Sequence, residues 1–192
     1  MKVPLRYQVT EYDCGTTSFI NALTYLYERE EIPVELLKCI QCYTLDVYGS
    51  EYDQGSGGTS RESTSFLNGW INNYSKKRNY DLKSTKLICE KVNRENITKY
   101  LKERAVIVVR YFMMGEHYSL ITKEDEDNIY LFDPYYIDKD IFEDKDIKVV
   151  FDNQFEYNRI IKKERFYSKE KKDYTLGEFE NSECICLYRK KD

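Results

Sequence analysis

Apolar side chains at Phe19, Ile20, Leu23, Leu26 and Tyr27 fall at the offsets of one helical face, and predict a helix over residues 14–30. Asp13 and the small residues after it suit the start of that helix. A second short helix is expected after Pro33, carrying Leu36, Leu37 and Ile40. The period then stops. From Tyr48 to Ser60 the run YGSEYDQGSGGTS is rich in Gly and reads as a flexible loop, either a passive surface insertion or a flap over a cleft. Thr59 and Glu62 have capping-box spacing and predict a third helix through Phe66, Leu67, Trp70, Ile71 and Tyr74.

From there the pattern turns to strands. A strand near Leu87–Cys89 and a short helix over about Arg94 to Lys102 precede the strongest strand signal, AVIVVRYF, Ala105 to Phe112. Strands over His117 to Thr122 and Asn128 to Phe132, separated by KEDED, complete an antiparallel meander. Further on lie IKVVF (Ile147 to Phe151), a charged segment to Tyr174, and an alternating strand CICLY (Cys184 to Tyr188). Helices first and sheet later predict an α+β fold, N-terminal helices packed on an antiparallel sheet, not a doubly wound one.

Composition narrows the picture. At 192 residues the chain predicts a single domain over 1–192. With 41% hydrophobic and 33% charged residues, and only three Pro, extended disorder is excluded. No apolar run has the length of a membrane helix, and the start does not read as a signal peptide. Thirty basic against 34 acidic side chains give a net charge of −4, with no one-signed basic stripe for nucleic acid. The free thiols and the absent signal lead to the expectation of a cytoplasmic protein. Nineteen Tyr suit a sheet with an aromatic-lined cleft, although coding bias raises Tyr, Lys, Ile and Asn together.

The chemistry converges on few residues. The one His of the chain, His117, stands at the head of a strand and is the natural proton shuttle. One His excludes any two- or three-His metal site. Cys14 opens the first helix, where backbone N–H groups favour a thiolate, and Gly15 beside it leaves room for a substrate backbone. Asp133, at the end of the strand after that of His117, can orient the imidazole, with Pro134 ending the strand. Gln8 is placed to supply a side-chain amide to an oxyanion hole. Cys39, Cys42, Cys184 and Cys186 offer four thiols, but their placement in a helical stripe and a strand reads as packing, and no cofactor is expected.

The segment QVTEYDCGTTSFINAL, with HYSLI at His117 and IYLFDPYY holding Asp133, resembles peptidase family C39 and the C39-like cysteine peptidases of the papain-like group. The resemblance covers a core of about residues 5–140. Residues 141–192 are then an extension adding strands to the same domain. It implies a papain-like fold, with Cys14 as nucleophile, His117 as general base, Asp133 orienting it and Gln8 in the oxyanion hole. A stand-alone cysteine peptidase or amidohydrolase acting on a peptide or isopeptide bond is the expectation. Acyl or amide transfer through the same thioester is the alternative, and a catalytically silent peptide-binding module the third.

Overall fold

In a computed structural model, residues 1–190 are described except Tyr52, Phe179 and Asn181. One seven-stranded antiparallel sheet runs through it in the order β1-β7-β2-β3-β4-β6-β5. Its strands are β1 (Leu82–Ile88), β2 (Val106–Phe112), β3 (Glu116–Glu124), β4 (Asn128–Phe132), β5 (Ile147–Val149), β6 (Arg159–Lys162) and β7 (Glu183–Arg189). The helices are α1 (Cys14–Leu26), α2 (Val34–Tyr43), α3 (Arg61–Arg78), α4 (Arg94–Lys102) and α5 (Lys163–Phe166). This is an α+β fold with its N-terminal helices on the sheet, and β2, β3 and β4 form the expected meander. Among the described residues, no helix is long and apolar enough to cross a membrane.

Both faces of the sheet are covered, which is why β2 reads as a continuous apolar run. Val106 and Val108 join Phe19, Leu23, Ile40 and Leu67 in one core under α1, α2 and α3. Ile107 and Val109 join Ile97, Ile161, Phe166 and Tyr174 in a second core on the opposite face. Cys39 packs in the first core, Cys184 and Cys186 in the second, so the sheet separates these thiols.

Several elements differ from the sequence expectation: the strand expected near Leu87–Cys89 runs from Leu82 to Ile88, with Cys89 at positive φ opening a 3-10 turn, and β5 ends at Val149, short of Phe151. The first helix ends at Leu26, short of residue 30, because Tyr27 turns extended and its hydroxyl donates to Asp81 at 2.9 Å. Glu28 then closes a capping box with Glu31 around a 3-10 turn. The third helix is capped by Ser60, whose hydroxyl accepts from Ser63 N, and not by Thr59. The charged segment before Tyr174 contains β6 and α5, elements whose few apolar positions set no period.

The Gly-rich loop is folded back on itself. The Val47 carbonyl accepts from both Gly55 N (3.0 Å) and Gly57 N (3.1 Å), with Gly55 and Gly58 at positive φ. Thr59 at its end occupies the space beside Gly15, where an added Cβ would lie 2.7 Å from the threonine hydroxyl. The glycine therefore admits a neighbouring loop, not the substrate backbone expected from sequence.

Candidate functional site

Cys14 sits at the first residue of α1, as the apolar stripe and the small residues around it dictate. The turn before it is fastened by Asp13, whose carboxylate accepts from Val9 N (3.1 Å), Thr10 N (2.6 Å) and Thr17 Oγ1 (3.2 Å). Desolvation opposes the Asp13 charge, but the Thr10 hydroxyl and these amides outweigh it, and the carboxyl lies below its ordinary range. One helical turn beyond Cys14, Ser18 donates to the Tyr118 carbonyl at 3.1 Å. That bond pins α1 to β3 at the residue after His117.

The imidazole of His117 lies between two groups. Nε2 meets Asp133 Oδ1 at 2.7 Å, and Cys14 is near enough to the same ring to raise its pKa alongside Asp133. Cys14, His117 and Asp133 are 7%, 6% and 0% exposed. Burial alone would drive the ring neutral, but the Asp133 charge and hydrogen bond, joined by Cys14, push its pKa up to about 10. Burial likewise opposes ionisation of Asp133, and the His117 and Arg159 charges win, holding it at about 2. Each partner thus favours the charged form of the other.

Every lone pair of Asp133 is used. Oδ1 also accepts from Tyr135 N (2.8 Å), while Oδ2 accepts from the hydroxyls of Tyr174 (2.8 Å) and Tyr111 (3.2 Å). Burial, then the Asp133 charge, keeps both phenols far above their ordinary pKa, so they stay neutral donors. Asn158 clamps the Asp133 backbone on both sides, its amide meeting Asp133 N and O at 2.7 Å each. Arg159 Nε donates to the Tyr174 hydroxyl at 2.9 Å. Tyr111, Asn158, Arg159 and Tyr174 were not singled out from sequence. Three of them come from beyond residue 140, where no period or motif marks them.

Gln8 lies alongside. Its backbone N donates to the Pro134 carbonyl (2.9 Å), tying its segment to the chain just after Asp133. Its side-chain Nε2 donates to Thr10 O at 2.7 Å, and its Oε1 is buried with no hydrogen-bond partner among the described residues. The side-chain amide is thereby held against the turn that leads into Cys14.

No protein-family model matches the chain. No curated protein matches it. Among solved structures it is similar to the crystal structure of a double glycine motif protease from an AMS/PCAT transporter in complex with the leader peptide. That similarity has 17% sequence identity and a TM-score of 0.41, covering 97% of this chain and 90% of the other.

Proposed function

We propose that the protein is a papain-like cysteine peptidase or amidohydrolase that cleaves a peptide or isopeptide bond through a thioester at Cys14. The observation that supports this reading is the buried His117–Asp133 pair, Nε2 to Oδ1 at 2.7 Å, with Cys14 at the start of α1 among the groups that raise the pKa of the ring. With Nε2 engaged by Asp133, Nδ1 is the ring nitrogen left for the thiol. The thiolate attacks the substrate carbonyl carbon. The oxygen that gains charge is stabilised by the Cys14 N–H, which has no acceptor within its own helix, and by the side-chain amide of Gln8. His117 gives its proton to the departing amine, then takes one from the water that resolves the thioester. Asp133 keeps the ring oriented and its charge compensated throughout.

The substrate is taken to be an extended peptide or peptide-like chain; in support of a selecting role for the Gly-rich loop, its end abuts the start of α1 through Thr59 and Gly15. The test is a peptide library incubated with wild type and Cys14→Ala, with and without added amines, and read by mass spectrometry. Hydrolysed products formed only by wild type support the peptidase. Amide products formed only with added amine move the assignment to transfer. No product from either protein overturns both. Deleting Gly55 to Gly58 is expected to change which peptides react while Cys14 stays reactive.

A further inference from the structure

Tyr174 stands in a conformation that its own chemistry does not favour. Its φ is 59°, in the left-handed region that a bulky side chain adopts only under constraint. The constraint is visible: Tyr174 N donates to Phe112 O (2.8 Å) and Phe112 N to Thr175 O (2.9 Å), clipping the segment to the end of β2. The ring is wholly buried, stacked on Tyr111 at 5.5 Å and edge-on to Phe142 at 5.3 Å. What this placement achieves is a hydroxyl at Asp133 Oδ2.

Behind the hydroxyl stands Arg159, 2% exposed and without a carboxylate partner among its described hydrogen bonds. Its Nη1 donates to Asn158 O (2.9 Å) and its Nη2 to Tyr135 O (3.2 Å). A buried guanidinium is costly unless a negative charge is near, and here that charge is Asp133, one hydroxyl away. The groups facing Asp133 are therefore His117 from β3, Tyr111 from β2, Arg159 from β6 and Tyr174 from the segment before β7. Those facing His117 are Asp133, Cys14 and, edge-on at 5.7 Å, Tyr111.

We propose that Tyr174, backed by Arg159, is a positioning residue of the Cys14 site, fixing the rotation of the Asp133 carboxylate so that Oδ1 faces the His117 ring. The segment beyond residue 140 then completes the site although it touches no reacting atom. This inference rests on the reading of His117 as the base that serves Cys14.

Because the chain has one His, the ring can be followed without assignment in a histidine-labelled sample. The titration midpoint of its C–H resonances is measured in wild type, Tyr174→Phe, Tyr111→Phe and Tyr27→Phe. Tyr174→Phe keeps the ring packing and removes one donor. A carboxylate free to rotate compensates the imidazolium less well, so the midpoint is expected to fall by about one pH unit or more. Tyr111→Phe, losing the longer bond, is expected to shift it the same way by less. Tyr27→Phe loses a partly buried tyrosine–carboxylate bond elsewhere, to Asp81, and is expected to leave it unchanged. An unmoved or raised midpoint in Tyr174→Phe overturns the positioning role. Should Tyr174→Phe not fold, Tyr111→Phe decides by the same sign. A wild-type midpoint near the ordinary 6.5 instead overturns the reading of the site itself, which separates the two failures.

Discussion

Asp133 and Glu183 are both fully buried carboxylates with several donors apiece, but the company they keep is different. Glu183, in β7, meets Lys86 at 2.7 Å, Thr64 at 3.2 Å, the Arg61 guanidinium at 3.8 Å and the Tyr118 hydroxyl. Its partners come from α3, β1 and β3, so it clamps the helix layer to the sheet with cations that hold their charge at any ordinary pH. Asp133 has hydroxyls and a backbone amide around it, and the cation it meets directly is an imidazole with a thiol on its other side. Both arrangements satisfy a buried charge. Only the second includes an imidazole, a group whose proton is exchanged near neutral pH, and on the proposed reading that separates a structural clamp from a reactive site.

Substitutions at the two carboxylates should separate these roles. Glu183→Gln leaves Lys86, only 10% exposed, without its anion, and is expected to cost about 3–5 kcal/mol in urea unfolding. Cys14 alkylation in the native protein should stay at the wild-type rate, and a slowed rate would break the contrast. Asp133→Asn keeps the shape and removes the charge. It is expected to cost roughly 2–3 kcal/mol, to drop the His117 midpoint from about 10 to 6.5 or below, and to slow Cys14 alkylation at least about tenfold.

The pH dependence sharpens the comparison. The folded midpoint of His117, about 10, lies above its ordinary 6.5. Its contribution to stability is therefore complete below pH 6.5 and is lost as pH rises toward 10, with a slope of up to about 1.4 kcal/mol per unit. Asp133, held at about 2 against 3.8, contributes above pH 3.8 and loses that contribution as pH falls through 2. In His117→Gln the alkaline slope should vanish, measured by urea midpoints from pH 6 to 10. The smallest effect is expected at Ser119→Ala, which removes the hydroxyl at 2.7 Å from the Tyr111 phenol and should cost about 1 kcal/mol.

The sequence was informative where period and chemistry coincide. Phe19, Ile20 and Leu23 mark α1, and the apolar run of β2 followed by two short strands on either side of KEDED marks the meander, so the ends that carry Cys14, His117 and Asp133 could be placed on their elements. The clamp on Asp133 was not legible. Arg159 and Lys162 flank a two-residue apolar run too short to set a period, and Tyr174 reaches its place by a left-handed turn that no residue type announces. Nor could the chain order reveal that β7, the last strand, lies between β1 and β2, since that pairing depends on the sheet as a whole. Gly15 shows the converse: the need for glycine was readable, but what fills the space, Thr59, belongs to a loop far along the chain.

The central claim is that His117 makes Cys14 a nucleophile, and exposure sets up the sharpest trial of it. Cys42 is exposed and Cys14 is buried, so access alone would have Cys42 react first. Native protein is treated with limiting iodoacetamide at pH 6, and the modified thiols are mapped by peptide mass spectrometry in wild type and His117→Gln. The account predicts that Cys14 is labelled first in wild type and that Cys42 overtakes it in His117→Gln. Labelling of Cys42 ahead of Cys14 in both proteins, or an order unchanged by the substitution, would contradict it.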